Sequence, residues 1–346
     1  MNTQMMAAVL YGKEHLEIEP VPVPKLGPGD VLVRVKAALT CGTDVKVFRR
    51  GYHARMIIPP AVFGHELAGD VVEVGEGVRK FHPGQRVVSA NSAPCGKCFF
   101  CVRNRENLCE DLLFNNGAYA EYIRIPARIV ERNTYEIPDG VSYQDAALLE
   151  PLACVLRGLD ETGVAPGDTV AVMGLGPIGL MFVRLAKNAG ARVIALGRRK
   201  TQIDRAEALG ADELISTTHM PDPVSAVRDL TGGRGADIAI EAVGKPTTWE
   251  TCARLVRKGG TVNFFGGCPS DTRVSLETSL LHYSEITCKA SFHHTPAHIR
   301  RSLDLIAQGV VTAKHFVNGE EPLVNLLEVL RHLMSHNGHL KTAIIP

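Results

Sequence analysis

Four cysteines stand close together in one stretch of the chain, at Cys95, Cys98, Cys101 and Cys109. Four thiolates in one loop can complete a tetrahedral shell around Zn²⁺, which leaves no open position for a substrate. An iron–sulfur cluster is the main rival, but the ferredoxin pattern has three residues before its last cysteine and a proline after it, and neither is present here. We therefore expect a structural zinc ion in a lobe at about 91–113.

A second set of metal-ligand residue types is dispersed along the chain. Cys41, His65 and Glu150 stand in the short segments Cys-Gly-Thr-Asp, Gly-His-Glu and Leu-Glu-Pro. Each signal is weak by itself, because a single cysteine or histidine usually packs in a core. Together, one thiolate, one imidazole and one carboxylate suit a zinc site that keeps a fourth position open for water or substrate. The sequence therefore predicts a catalytic zinc ion as well.

A glycine triplet indicates a dinucleotide site. Gly174, Gly176 and Gly179 follow an apolar run and open a helical pattern that begins with Pro177 and Ile178. The first glycine permits a tight turn, the second lets the backbone approach a pyrophosphate, and the third allows close packing of helix on sheet. The N–H groups at the start of the helix then bind the phosphates.

The end of the next apolar run bears on the choice of cofactor. NAD-specific sites usually carry Asp or Glu there to bind the ribose hydroxyls. Here Gly197 leaves space, and Arg198 and Arg199 can form forked hydrogen bonds with a 2′-phosphate. We expect NADP, with NAD as the second choice, and we also assign Val243 and Gly266 to the cofactor site.

The elements that must hold these residues change in character along the chain. Short apolar runs near 30–37, 69–74, 86–90 and 120–125 predict an antiparallel, barrel-like domain without a sustained helical period. From about Leu152, apolar runs alternate with helical patterns, which predicts a doubly wound parallel sheet. Its six strands are expected at 169–173, 192–196, 213–216, 237–242, 261–265 and 286–292. A tail from 297 to 346 holds two amphipathic stretches and a last strand.

Composition and charge exclude several classes of function. The 346 residues carry 38 basic and 37 acidic side chains, a formal charge of +1, so we expect neither a nucleic-acid partner nor a charge-driven membrane partner. The cysteine lobe itself balances three basic residues with three acidic ones, which argues against a nucleic-acid-binding zinc ribbon. The longest uncharged run, 169–183, is shorter than a membrane helix needs. We expect a cytoplasmic protein.

The motifs together resemble a known family. The segment from Gly64 to Val78, with His65, Glu66, Gly69 and Gly75, is similar to the zinc signature of the medium-chain, zinc-dependent alcohol dehydrogenases. The four-cysteine lobe and the cofactor glycines are similar too. The segments that contain Cys41 and Glu150 most resemble the sorbitol (polyol) and threonine dehydrogenase branch.

The resemblance implies an α/β protein in which a GroES-like catalytic domain is interrupted by a Rossmann domain. We expect the first at 1–151 and 297–346 and the second at 152–296. The resemblance also implies a homo-oligomer, a tetramer or a dimer.

Residue roles follow from the same resemblance. Cys41 and His65 would be catalytic zinc ligands, Glu66 a ligand or an exchanging near-ligand, and Glu150 a ligand directly or through water. Thr43 would begin the proton path. Asp44 would orient His65.

Two positions depart from the family or compete with these roles. Many relatives have a relay histidine five residues after the zinc cysteine, and Lys46 stands there in this chain. Cys154 lies four residues after Glu150, on the same face if the segment is helical, so it is a rival ligand.

The expected activity is hydride transfer between a secondary alcohol, polyol or vicinal diol and NADP(H), which gives the ketone. An enzyme like L-threonine 3-dehydrogenase that uses NAD is the main alternative. A non-catalytic, NADPH-binding sensor protein is the alternative from another class.

Overall fold

The computed structural model describes residues 3–53, 56–220, 222–335 and 340–346. The chain divides into two compact units. Unit 1 comprises Met1–Ala153 and His294–Pro346, and unit 2 comprises Cys154–His293.

The first part of unit 1 is mainly β structure with three short helices. Its strands are β1 (Gln4–Gly12), β2 (His15–Pro22), β3 (Val31–Leu39), β4 (Ala61–Val62), β5 (Glu66–Val74), β6 (Arg86–Ser89), β7 (Ser92–Ala93), β8 (Leu113–Phe114), β9 (Tyr122–Ile125) and β10 (Thr134–Glu136). Its helices are α1 (Gly42–Arg50), α2 (Ala127–Asn133) and α3 (Tyr143–Ala147). In β3, Val31, Val33 and Val35 are buried and Arg34 is exposed, as the alternating pattern predicts.

The sequence shows no sustained helical period in this part, yet the structure contains the short helix α1 there. The helix is only nine residues long, too short for its apolar spacing to be read as a period. Its ends and two side chains stabilise it instead. Cys41 caps its N-terminus, Gly51 ends it in the left-handed region at φ 87°, and Val47 and Phe48 are buried.

Unit 2 is a parallel sheet covered by helices. The division between the units falls within α4 (Leu149–Thr162). The strands are β11 (Thr169–Met173), β12 (Arg192–Gly197), β13 (Glu213–Ser216), β14 (Ala236–Glu241), β15 (Val256–Phe264) and β16 (Thr287–Ala290). The helices are α5 (Pro177–Asn188), α6 (Lys200–Ala208), α7 (Pro223–Leu230), α8 (Pro246–Leu255) and α9 (Thr278–Tyr283). The strand order, β13-β12-β11-β14-β15-β16, is that of a Rossmann fold and confirms the predicted sheet.

The tail returns to unit 1 and completes its main sheet. It contains α10 (Pro296–Ala307), β17 (Val317–Pro322), α11 (Leu326–Met334) and β18 (Lys341–Ile345). The sheet runs β10-β6-β5-β3-β18-β17, with β9 also paired to β3. The pairings are antiparallel except that between β17 and β18. Strands from both ends of the sequence therefore lie side by side.

Each unit has an apolar core among its described residues. The core of unit 1 includes residues from β1, β3, β5, β9 and the tail, and that of unit 2 packs β11–β15 against α7 and α8. Among the described residues, no helix is long and apolar enough to cross a membrane.

Candidate active site

The cysteine lobe brings its four sulfur atoms together. The Sγ atoms of Cys95, Cys98, Cys101 and Cys109 all lie within 4.8 Å of one another. The separation is 4.0 Å from Cys95 to Cys101 and 3.8 Å from Cys98 to Cys109. Four sulfurs at about 2.3 Å from a tetrahedral centre lie about 3.8 Å apart, so the donor set fits Zn²⁺.

Backbone N–H groups of the lobe favour the thiolate form. The N–H groups of Lys97 and Cys98 donate to Cys95 Sγ at 3.4 and 3.3 Å. Those of Glu110 and Cys101 lower the pKa of Cys98 to about 6. Thiolates, not thiols, are the metal ligands. The backbone therefore prepares Cys95 and Cys98 for a cation, whereas burial raises the pKa of Cys101 and Cys109.

Cys41 occupies a position that the start of α1 defines. Its side chain caps the helix by accepting a hydrogen bond from the N–H of Thr43 at 3.5 Å, and Asp44 Oδ2 accepts one from the N–H of Cys41 at 2.9 Å. The start of α1, which is the positive end of the helix dipole, therefore faces the Cys41 sulfur. Half-buried Thr43 lies in the first turn, and Lys46 is exposed one turn further on.

His65 is buried and held by Asp44. Its Nδ1 lies 2.9 Å from Asp44 Oδ1, and the two side chains are 4% and 1% exposed. Burial lowers the pKa of His65, but the Asp44 carboxylate and Cys41 raise it well above its usual value. Because a carboxylate only accepts, Nδ1 donates and Nε2 is left as the ligand atom.

The Glu66 carboxylate is the third possible metal ligand of the cluster. Its partner, Lys341, was missed by sequence reasoning. The ligand atoms of Cys41, His65 and Glu66 lie within 4.8 Å of one another. Both carboxylate oxygens of Glu66 also accept hydrogen bonds from Lys341 Nζ, at 2.7 and 2.6 Å. Burial raises the pKa of Glu66 to about 7 even though the Lys341 ammonium opposes the shift. Glu66 is thus a ligand-type residue held by a cation.

Glu150 lies near this cluster but not within it. It belongs to the first turn of α4 and is 8% exposed. Its charge raises the pKa of Glu66, and its Oε1 lies 3.8 Å from Nε2 of buried His294. His294 in turn lies 3.4 Å from the hydroxyl of Ser92. Cys154, the rival ligand, follows on the same helix and is half-buried.

The donor chemistry of the cluster fits zinc. A thiolate, an imidazole with its other nitrogen bonded to a carboxylate, and a nearby carboxylate match the ligands of open zinc sites. Softer thiolate and imidazole donors disfavour magnesium and calcium, which take oxygen ligands.

In unit 2, the glycine loop has the geometry that its motif requires. Gly174 has φ 99°, and a Cβ there would lie 2.5 Å from Val243 Cγ2. At Gly179 a Cβ would lie 1.7 Å from the Gly174 oxygen, whereas at Gly176 it would meet no atom within 4 Å. Gly176 caps α5 without a side-chain hydrogen bond, and Pro177 begins the helix. The open space and the free helix start fit a pyrophosphate.

The basic residues after β12 differ in their partners. Lys200 pairs with Asp204 at 2.8 Å, one turn along α6. Among the described residues, no carboxylate forms an ion pair with Arg198 or Arg199. Burial and the neighbouring Arg198 charge both lower the pKa of Arg199. Two neighbouring guanidinium groups at a helix start provide a place for an anion.

Buried Glu241 shapes the loops that contain Val243 and Gly266. Its Oε1 accepts hydrogen bonds from the N–H groups of Val243 and Gly244 at 2.9 Å each and from Thr248 Oγ1 at 2.6 Å. A Cβ on Gly266 would lie 2.4 Å from the Gly244 nitrogen. Glu241 therefore fixes the backbone at the ends of β14 and β15.

Sequence reasoning missed Lys341, Glu241 and His294. Glu241 follows an apolar run directly, so its place at a strand end was a usable signal. Lys341 is separated from Glu66 by 275 residues, and no local pattern connects them. His294 follows the last strand of unit 2, where the sequence favours a surface or subunit-contact role, whereas the structure buries it.

Comparison with known proteins identifies the family of the chain. Residues 27–139 match the alcohol dehydrogenase GroES-like domain, and residues 177–308 match the zinc-binding dehydrogenase domain. The chain is 31% identical over 350 residues to a sorbitol dehydrogenase of Bacillus subtilis (strain 168), covering 99% of this chain and 97% of that protein. It is 38% identical over 258 residues to an L-threonine 3-dehydrogenase of Bacillus licheniformis, covering 73% of each chain.

A solved structure shows the same fold over the whole length. A zinc-binding dehydrogenase from Sinorhizobium meliloti 1021, bound to NADP, has a TM-score of 0.89 and 32% identity and covers 100% of each chain. The predicted fold class and the predicted dehydrogenase activity are confirmed. The chain belongs to the zinc-dependent medium-chain dehydrogenases, in the branch of the sorbitol and threonine dehydrogenases, and it is an NAD(P)-dependent enzyme that oxidises or forms alcohol groups.

Proposed function

We propose that the enzyme interconverts a secondary alcohol of a polyol or vicinal diol with its ketone, using NADP(H). The cluster of Cys41, His65 and Glu66 is the observation that carries this proposal, because its donors suit an open zinc site. The similarity to a sorbitol dehydrogenase over nearly the whole chain supports a polyol as the substrate class.

Two zinc ions are part of the proposal, one in the lobe and one in the cluster. We assign Cys41 and His65 as ligands of the catalytic ion and Glu150 as a ligand directly or through water. Glu66 is assigned as a near-ligand, since both its oxygens are bonded to Lys341. When bound, the catalytic ion supplies Lewis acidity that lowers the pKa of the alcohol hydroxyl, and the nicotinamide exchanges hydride with the substrate carbon.

The side chains of unit 1 hold and move protons around this chemistry. Asp44 keeps a proton on Nδ1 of His65 and so keeps Nε2 available. The hydroxyl of Thr43, two residues from Cys41 on α1, accepts the substrate proton first. Lys46 is exposed and stands where many relatives have a relay histidine. The proton would therefore leave Thr43 toward solvent, and the ribose of a bound cofactor would be the next group able to accept it.

The preference for NADP rests on Arg198 and Arg199. Both lack an ion-pair partner among the described residues, and Gly197 provides no carboxylate to repel a phosphate. A related enzyme that binds NADP supports the assignment.

The cofactor assignment has a matched test in the same loop. Replacing both arginines with alanine removes charge-assisted hydrogen bonds worth about 1.5–3 kcal/mol each, so KM for NADP should rise at least about tenfold, with little change for NAD. The control is Lys200→Ala, because Lys200 already pairs with Asp204. Equal KM values for NADP in the double variant and the wild type would reject the NADP assignment.

A threonine dehydrogenase activity with NAD is the second candidate, because the identity to that enzyme is 38% over 258 residues. Initial rates with sorbitol, xylitol, 2,3-butanediol and L-threonine, each with NADP and with NAD, separate the two. We expect the highest kcat/KM with a polyol or diol and NADP. The highest value with L-threonine and NAD would establish the second candidate instead.

We also propose a homo-oligomer in the cytoplasm. All four residues of β16 are exposed, and on the described part of the chain this edge strand pairs with β15 alone. An exposed edge strand is a template for pairing with another chain, here a second copy. Cytoplasmic location is supported by the thiol ligands of the two proposed zinc sites, which a reducing compartment preserves. Light scattering on the protein as it elutes from a size-exclusion column tests the proposed homo-oligomer. The mass of a monomer would refute that proposal.

A further inference from the structure

Tyr119 lies beside the proposed catalytic cluster of Cys41, His65 and Glu66. It stands just before β9 and belongs to none of the sequence motifs. It is fully buried, at 0% exposure. Its hydroxyl donates to Asp44 Oδ2 at 2.6 Å, and the Leu39 oxygen lies at a longer 3.2 Å. The shorter bond to a carboxylate is the stronger one, since charge-assisted hydrogen bonds are about twice as strong as neutral ones.

Three donors converge on the carboxylate of Asp44. Oδ1 faces Nδ1 of His65 at 2.9 Å. Oδ2 accepts from the N–H of Cys41 at 2.9 Å and from the Tyr119 hydroxyl. Asp44 is thus fixed from both sides, by the helix that carries one proposed metal ligand and by a tyrosine.

The backbone and the ring of Tyr119 are also held in place by their neighbours. The Tyr119 N–H donates to the Phe63 oxygen at 2.9 Å, and the Gly64 oxygen accepts from Gly117 and Ala118 at 2.9 and 3.1 Å. Gly64 has φ 90°, and a Cβ there would lie 2.6 Å from Tyr119 Cδ2. Glycine before His65 therefore lets the ring pack directly on the backbone that carries His65.

We propose that Tyr119 is a positioning residue of the catalytic zinc site, acting through Asp44 to hold His65 in one orientation toward the metal. This inference rests on the proposed function, which makes His65 a zinc ligand. Burial and the Asp44 charge raise the pKa of Tyr119 well above its usual value, so the hydroxyl keeps its proton and remains a donor.

Tyr119→Phe tests the proposal, because it removes the hydroxyl and keeps the ring against Gly64. The readout is zinc release from the holoenzyme into a colorimetric chelator. Partners of metal-bound histidines change metal affinity about 10–100-fold, and because Tyr119 acts one residue further out we expect release about tenfold faster from the catalytic site. The zinc of the cysteine lobe should leave at the wild-type rate and is the internal control.

Tyr122→Phe is the matched control variant. Tyr122 is the first residue of β9, three residues after Tyr119. Its hydroxyl accepts a hydrogen bond from Arg34 at 2.9 Å and not from any group of the cluster. We expect it to leave both release rates unchanged. The proposal would be overturned if Tyr119→Phe released the catalytic zinc at the wild-type rate. It would also be overturned if zinc release became faster by the same factor at both sites.

A double-mutant cycle with Asp44→Asn shows whether Tyr119 acts through Asp44. In the Asp44→Asn background, Tyr119→Phe should add no more than about twofold, since coupled residues are not additive. A full further tenfold acceleration there would mean that Tyr119 acts by general packing, and the proposal would fall. A holoenzyme with zinc in the lobe alone would instead reject the proposed function, and this inference with it.

Discussion

The two proposed zinc sites of unit 1 differ in how the chain builds them. The lobe takes all four sulfurs from residues 95–109, and backbone N–H groups of the same loop donate to them. The proposed catalytic cluster takes Cys41 from the start of α1, His65 from just before β5 and Glu66 from the first residue of β5. Lys341 of the last strand holds Glu66 in place. A local loop is enough for a closed site, whereas an open site needs long-range strand pairing to keep its ligands in place.

The largest expected effect is at the catalytic cluster. Cys41→Ala removes a proposed ligand and should lower kcat/KM by more than the roughly 10–100-fold that partners of ligands cause. NADP(H) binding, followed by fluorescence, should be unchanged, because its residues belong to unit 2. Turnover near the wild-type rate in metal-depleted Cys41→Ala would contradict a zinc-dependent mechanism.

Lys341→Met tests the long-range contact between Lys341 and Glu66. The change leaves the Glu66 carboxyl buried without its cation, which should lower the free energy of unfolding by about 3–5 kcal/mol in urea titrations. The loss should grow as pH rises above about 7, because native wild-type Glu66 then releases its proton beside Lys341, whereas the native variant keeps it. The pKa of Glu66 is already about 7 with Lys341 present.

Adding Glu66→Gln to Lys341→Met separates charge from packing. The neutral amide no longer needs a cation, so more than half of the lost stability should return. No recovery, or a loss that shrinks with rising pH, would mean that Lys341 stabilises the site through packing alone.

A smaller effect on global stability is expected in the lobe. Phe99 and Val102 are 56% and 63% exposed there, so few apolar contacts depend on the loop. Cys98→Ala should abolish zinc binding in the lobe and increase proteolysis within residues 95–111, while unfolding stability falls by only about 1–2 kcal/mol. Loss of the catalytic zinc in the same variant would show that the two sites are coupled.

The smallest effect is expected for a surface contact of the lobe. The Arg103 guanidinium lies 3.8 Å from the centre of the Phe99 ring. Exposed cation–π pairs contribute about 0.5–1 kcal/mol, so Arg103→Ala should shift thermal unfolding slightly and leave lobe zinc in place. A loss of lobe zinc would show that this contact, as well as the thiolates, holds the loop.

Local spacing predicted much of the fold. The strands at Thr169–Met173 and Glu213–Ser216 have the predicted ends, because a turn with glycine and aspartate precedes each of them. The helix α1 was missed, since its stability comes from the Cys41 cap and two buried side chains rather than from a period. Short capped helices inside β-rich domains give too few turns for periodicity to show.

The sequence by itself predicted the proposed sites whose residues stand close together in the chain: the four cysteines of the lobe and the three glycines of the dinucleotide loop. The tertiary structure decided which groups surround the catalytic cluster. In the main sheet, Leu39 of β3 is paired with Glu66 of β5 on one side and with Ala343 of β18 on the other. That register brings Lys341 to Glu66, and a separate loop brings Tyr119 to Asp44. Neither contact leaves a trace in local spacing, because each depends on strands and loops that meet only when the chain has folded.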